Sequence, residues 1–520
     1  MAGGPAVSSG SQHYVNLIDT SKPWWKNRRL LALNAWIVLL LITSSTNGYD
    51  GSMMNGLQSL PTWESYFNYP TGGRLGLFNA IQNIGSLCAY PFAPYVADGL
   101  GRRTSIFLGA CIMIVATSVQ SAAQSFGMFI GARFLIGFGL TFAASAAPLL
   151  ITEIAYPSQR GQATAMYNTL WYLGSIVAAW TTFGTFRLPT SWAWRIPSVL
   201  QGLPSVIQVF LIWFAPESPR WLMSKGREQQ ALKTLAYYHA NGNEQDPLVE
   251  FEFEEIKAAL RFDREVSSNV NWASLLKTPG NRRRLRIIIA IAFFSQWSGN
   301  GLVSFYLNKV MNAIGITDPT TQLLINGILN IYNFFIAIGA GLLVDKVGRR
   351  KLFITSTLGM VLFWTCQTIC FSLFSQHGWA SAGHAVIAFI CASIAFTPLI
   401  VAYTVEILPY AIRAKGFVVF NFTVSLSLIF NQYVNPIALQ NLGWRYYIVY
   451  ICWLTFEAIF VYYFVVETKG RTLEETAALF DGEDAAQQVA HDAAIAAEVV
   501  PEKASSGGSV EEVTVIGKSA

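Results

Sequence analysis

Charge is what this chain has least of. Asp, Glu, Lys and Arg make up 12% of its 520 residues, against 53% hydrophobic ones, too little polar surface to cover a soluble globule of that size. Cysteine is scarce as well: all six (Cys88, Cys111, Cys366, Cys370, Cys391 and Cys452) fall in apolar runs. They show no paired spacing in a polar loop, so neither a disulfide framework nor a metal site is expected. Cys366 and Cys370, one helical turn apart, read as packing. The chain has no His-Glu-x-x-His, no Gly-x-x-x-x-Gly-Lys-Ser/Thr phosphate loop and no Gly-x-Ser-x-Gly elbow, which argues against an enzyme, a bound cofactor and direct use of ATP. No basic patch suggests nucleic acid, because the net charge of +5 is spread over many short loops. The N-terminus lacks an early apolar core with a small-residue cleavage site, so the first apolar span itself is expected to direct insertion.

What is present is a series of apolar runs of about 20 residues, the length that crosses roughly 30 Å of hydrocarbon. Six lie near 30–50, 75–97, 103–123, 127–149, 166–186 and 196–215, and six more near 286–307, 322–344, 352–374, 383–404, 416–436 and 445–466. The fold class expected is an all-α membrane protein of twelve transmembrane helices. With the N-terminus inside, 29 of the 35 Lys and Arg fall in cytoplasmic segments and five (Arg74, Arg187, Arg195, Lys309, Arg445) outside. That asymmetry puts both termini in the cytoplasm. The organisation read from these runs is a cytoplasmic N-tail (1–29), an N-terminal six-helix bundle (30–215), a charged linker with short amphipathic helices (216–285), a C-terminal bundle (286–466) and a cytoplasmic C-tail (467–520). The tail turns to Ala, Ser, Gly and acidic residues after about 482 and is expected to be disordered.

The two halves carry the same charged signature. Asp98-Gly-Leu-Gly-Arg102-Arg103 recurs as Asp345-Lys-Val-Gly-Arg349-Arg350, Glu153 with Arg160 recurs as Glu406 with Arg413, and Glu217 recurs as Glu467. The offsets are 247, 253 and 250 residues. Duplicated membrane helices with mirrored charged joints are the sequence form of two pseudosymmetric bundles that alternate access to a site between them. These twelve residues sit at helix ends, where opposite charges pair in one conformation and separate in another. They are the candidate gate: Asp98, Arg102, Arg103, Glu153, Arg160 and Glu217 as one cluster, Asp345, Arg349, Arg350, Glu406, Arg413 and Glu467 as the other. Anchoring of loops is the alternative role. Two further charges lie in apolar sequence, Asp50 at the end of the first span and Arg133 within the fourth. Either costs about 2.5–3.5 kcal/mol at a helix centre, so they are expected to pair.

In this order and spacing, Gly48-Tyr-Asp50-Gly51, the two Gly-Arg-Arg loops, Glu153-Ile-Ala-Tyr-Pro-Ser-Gln-Arg160-Gly161, Pro216-Glu-Ser-Pro-Arg-Trp-Leu222 and Glu467-Thr-Lys-Gly-Arg471 resemble the sugar porter family of the major facilitator superfamily, across residues 30–475. Through Gln296-Trp-Ser-Gly-Asn300-Gly-Leu-Val-Ser-Phe-Tyr306 the chain looks most like the fungal lactose and cellodextrin permeases. The resemblance implies that the charged clusters close the cytoplasmic side. It also implies that Asp50 takes up a proton for which Arg133 competes, with a structural ion pair as the alternative.

A sugar site needs neutral amides and hydroxyls with an aromatic face, and many mid-span amides could supply them, Gln82 among them. The family pattern falls on Asn168, Gln296 and Asn333, with Asn300 one residue early, while a family tryptophan is replaced by Val401. Those changes remove bulk, so a disaccharide such as lactose or cellobiose is expected, with Trp297 and Tyr306 as candidate replacement stacking surfaces and simple packing as their alternative role. The implied protein is a plasma-membrane, proton-coupled importer acting as a monomer. A hexose or polyol facilitator and a non-transporting sugar sensor are the alternatives.

Overall fold

The computed structural model describes residues 24–269, 272–392, 400, 403–404, 407–408, 410–468 and 480, without the side chains at 161, 165, 168, 262–269, 340–346, 391–392, 410–411 and 413–414. Among the described residues there is no strand. Six helical columns precede the linker: α1 (Arg28–Leu57), α2 (Gly72–Ala89), α3 (Arg102–Ser121), α4 (Phe126–Ile154), α5 (Arg160–Thr185) and α6 (Trp192–Phe214). The linker carries α7 (Pro219–Ser224), α8 (Glu228–His239) and α9 (Pro247–Asn269). Six columns follow: α10 (Pro279–Trp297) continued by α11 (Asn300–Ala313), then α12 (Pro319–Val347), α13 (Arg349–His377), α14 (Ala380–Ala392), α15 (Tyr410–Leu442) and α16 (Tyr446–Phe464).

The packing repeats with the sequence. Within the first bundle α3 packs on α4 and α1 on α5; within the second, α13 packs on α14 and α10 on α15. The bundles meet through α2 against α15 and α5 against α12, contacts that exchange when the two halves are swapped. This is a pseudo-twofold arrangement of two six-helix bundles, the major facilitator fold.

The duplicated charged motif has a local cause. Gly101 and Gly348 precede α3 and α13 with φ of 108° and 101°, a region that L side chains rarely adopt. A Cβ there would lie 2.6 Å from Glu217 Oε2 and 2.9 Å from Glu467 Oε2. The glycines thus admit a carboxylate to the first turn of each helix. Glu217 Oε2 accepts from the Arg103 backbone N–H at 3.2 Å, and Glu467 accepts from those of Arg349 and Arg350 at 2.8 and 3.1 Å. Anions at helix N-termini satisfy unpaired N–H groups and the helix dipole. In return Arg103 Nη1 donates to the Ala215 carbonyl at 2.7 Å and Arg350 Nη2 to that of Tyr462 at 2.8 Å, at the ends of α6 and α16. The face carrying these joints and α7–α9 is called the linker face, and its opposite the far face.

Candidate functional site

Asp50 is fully buried on α1 and Arg133 on α4 is 1% exposed. Arg133 Nη1 donates to Asp50 Oδ1 at 3.2 Å, its Nε to the Phe78 carbonyl at 2.8 Å and its Nη2 to Gln82 Oε1 at 2.9 Å. Gln82 therefore serves the arginine. The same Asp50 oxygen accepts from Gln201 Nε2 at 2.6 Å, while Asp50 Oδ2 is buried with no partner. Gln201 sits where α6 breaks into Trp192–Leu200 and Leu203–Leu211. Pro204 lacks the N–H that would continue the ladder there. Sequence reading passed over Gln201, although an amide beside two prolines in an apolar run was visible.

Between the bundles runs a set of amide and hydroxyl contacts. Asn83 donates to Gln432 at 2.7 Å. Toward the far face Asn55 donates to Asn326 at 3.2 Å, Gln58 to the Phe305 carbonyl at 2.8 Å, Asn308 to Ser59 at 3.2 Å and Asn330 to Ser52 at 3.4 Å. The ion pair Lys309–Glu64, at 2.9 Å, extends this seam. The far side of the interface is thus laced together in this conformation.

The residues expected at a sugar site are placed unevenly. Gln296 donates to the Ser295 hydroxyl at 3.1 Å, and its carbonyl accepts from Asn431. Asn300 donates to the Ser295 carbonyl at 3.1 Å. Asn333 is half-buried on α12. Asn168 and Val401 carry no described side chain. The two expected stacking surfaces make packing contacts in this conformation. Tyr306 is fully buried at a kink in α11 with its hydroxyl donated to the Gln432 carbonyl. Trp297 lies among Phe293, Phe430, Tyr450 and Trp453. Trp297 thus packs on rings of the second bundle, whereas Tyr306 packs across the interface among Tyr49, Met53 and Phe78 of the first, because large rings in a helix bundle gain most where they are enclosed.

The expected first gate cluster resolves into three groups, none of which reaches the second bundle among the described residues. Arg102 bridges Asp98 at 3.0 Å and Glu153 at 3.2 Å; Asp98 is mostly exposed, so its half of the bridge is weak. Arg103 and Glu217 form the cap pair already described, with Nε and Oε2 4.0 Å apart. Arg160 turns away from Glu153 to Glu252 of the linker at 2.8 Å. Glu252 is fully buried and its other oxygen meets His239 Nδ1 at 2.6 Å, whose Nε2 faces the Ile154 carbonyl at 3.2 Å. A buried carboxylate of the linker thus competes for Arg160, and a sequence reading confined to the repeated motif had no sight of it. Burial holds the Glu217 carboxyl above the ordinary carboxylate range, opposed by the Ser218 and Arg103 N–H groups and then by the Arg103 and Arg102 charges. In the second cluster Arg349, Arg350 and Glu467 form the matching cap, while Asp345, Glu406 and Arg413 lie outside the described side chains.

The family model for sugar (and other) transporters matches residues 36–480. The chain belongs to this family of major facilitator carriers and is a multi-pass membrane transporter, not an enzyme. Among relatives, it is 29% identical over 465 residues to the MFS-type transporter oryC of Aspergillus oryzae, covering 85% of this chain and 84% of that one. It is 27% identical over 462 residues to a high-affinity glucose transporter of Kluyveromyces lactis, with 82% and 81% covered. In fold it is similar to the inward-open xylose transporter XylE of Escherichia coli, with a TM-score of 0.72 at 23% identity, covering 86% of this chain and all of that one.

Proposed function

We propose that this carrier imports a disaccharide, lactose or cellobiose, together with a proton across the plasma membrane, as a monomer with both termini in the cytoplasm. The observation that carries the proton is the unpartnered Oδ2 of Asp50 beside Arg133. A proton placed on that oxygen breaks no hydrogen bond, yet it removes the charge that holds Arg133 Nη1. Arg133 keeps its contacts to Phe78 and Gln82 on α2, and α2 bears Asn83, which bridges to Gln432 across the interface. Protonation of Asp50 is thus linked, through one side chain and one helix, to the contact between bundles. The far-face seam supports a state open toward the linker face, with the linker face cytoplasmic.

The amides of α10–α12 and the loss of bulk at Asn168 and Val401 support a ligand larger than a hexose. A glucose or polyol facilitator is the competing reading, favoured by the similarity to the Kluyveromyces glucose transporter. Uptake of labelled cellobiose, competed by lactose, cellobiose, glucose and sorbitol with and without a protonophore, tests both. Competition by glucose alone, insensitive to the protonophore, would discard the disaccharide symport.

A further inference from the structure

Glu457 lies in the middle of α16, inside an apolar run, and is 1% exposed. Its Oε1 is buried with no well-formed hydrogen bond, and the Nε1–H of Trp453, one turn earlier, is a donor that faces the carboxyl. The carboxyl lines a cavity of about 50 Å³ bordered by α10, α13, α16 and Ile400, enough for several waters. Hydroxyls supply its polar walls: Ser295 and Ser298 from α10, Ser356 and Thr357 from α13. Among the described residues no Lys, Arg or His lines it. The charged residues of α13, Arg349, Arg350 and Lys351, are grouped in its first turn, where Glu467 and the Tyr462 carbonyl engage the first two. Tyr403 exchanges hydrogen bonds with the Val466 backbone. A carboxylate taken out of water with no cation beside it costs many kcal/mol, whereas the neutral acid does not. The first bundle has no such group: Gln208 stands nine residues before Glu217 much as Glu457 stands ten before Glu467, and it donates to Thr43 at 2.7 Å.

We propose that the cavity around Glu457 is a proton-binding site of the second bundle, separate from Asp50, and that its occupancy sets the bend between α10 and α11. Ser298 belongs to that bend. The next residue, Gly299, holds φ of 87°, and a Cβ on it would lie 2.0 Å from Trp364. The acid form donates its O–H to a cavity hydroxyl or water. When the bundles shift and water gains access, the O–H bond breaks, the proton passes to water and the carboxylate remains, drawing the Ser298 hydroxyl toward it and moving the bend. Gln296 and Asn300 flank that bend, so the sugar-facing amides move with it. Only this last consequence rests on the transport function proposed above.

The test uses the full chain in phosphatidylcholine nanodiscs. Infrared difference spectra between about pH 6 and about pH 9, the range in which buried carboxyls are known to titrate, are expected to contain a carboxylic-acid carbonyl band that Glu457→Gln deletes and Asp50→Asn leaves. Labelling by dicyclohexylcarbodiimide, mapped by peptide mass spectrometry, is expected at Glu457 and to fall roughly tenfold over the same range. Identical spectra for wild type and Glu457→Gln would overturn the site. Suppression of labelling by sodium but not by choline at constant pH would overturn it in favour of a metal cation. Loss of the band in Asp50→Asn but not in Glu457→Gln would overturn it while leaving the Asp50 reading intact.

Discussion

Replacing Asp50 with Asn isolates the proton from the hydrogen bonds around it. Arg133 and Gln201 both donate to Oδ1, and Oδ2 has no partner. Asn keeps an oxygen at the Oδ1 position and sets its amide where nothing is bonded, so the variant imitates the protonated acid. The loss is the difference between charge-assisted and neutral hydrogen bonds, about 1 kcal/mol for each of two bonds. Removing the side chain with Ala would strand the arginine at a cost of about 3–5 kcal/mol, so Asn is expected to fold and Ala to fail. The transport consequence is larger. With a pH difference of about one unit, worth about 1.4 kcal/mol, and a potential of about 100 mV, worth about 2.3 kcal/mol per charge, one proton per sugar sets a limit of roughly 500-fold accumulation. Asp50→Asn is expected to lower the plateau ratio to about one while exchange of labelled for unlabelled cellobiose continues. Proteoliposomes with an imposed pH gradient and a potassium diffusion potential measure both. Accumulation at the wild-type ratio would refute the argument.

Three other outcomes follow from the geometry. The folded protein binds the Glu217 proton more tightly than the unfolded chain does. Its contribution to stability is therefore complete below the ordinary carboxylate range and is lost as pH rises through the raised value. Thermal unfolding of wild type and Glu217→Gln over a pH series is expected to shift in favour of Gln as pH rises; a constant difference would contradict burial as the dominant cause. Asn308→Ala removes a bridge to Ser59 worth about 1 kcal/mol, and a cysteine placed at Thr62 should react with an impermeant maleimide about fivefold faster; an unchanged rate would show that the seam does not close the far face. Gly299→Ala combines a left-handed backbone with a contact inside the Trp364 ring and is expected to cost about 2–5 kcal/mol, read as loss of the monodisperse peak in detergent. A normal peak would mean that the α10–α11 bend is freely adjustable.

The fold was legible because hydrophobic length and duplicated charge are both properties of the sequence alone, and each has a strong physical cause in a bilayer. Asp50 and Arg133 could be matched for the same reason, since two opposite charges in apolar spans have few other ways to be satisfied. Partners offered by unremarkable residues were harder to foresee. Glu252 claims Arg160 from a linker whose docking is a tertiary fact, and the ring contacts of Trp297 and the interface packing of Tyr306 likewise depend on neighbours distant in sequence. Glu457 stood in plain view within the last span. Attention to the repeated motifs passed over it because its nearest counterpart in the first half is an amide.

The carboxylates at Glu217 and Glu467 fasten the start of one helix to the end of another inside the same lobe. Each lobe is therefore a cassette fastened to itself at this joint, by contacts that do not cross to the other lobe. Residues along the seam are then free to diverge toward new cargo without loosening either cassette. That division of labour would let one scaffold keep its helix joints while the residues between the lobes vary.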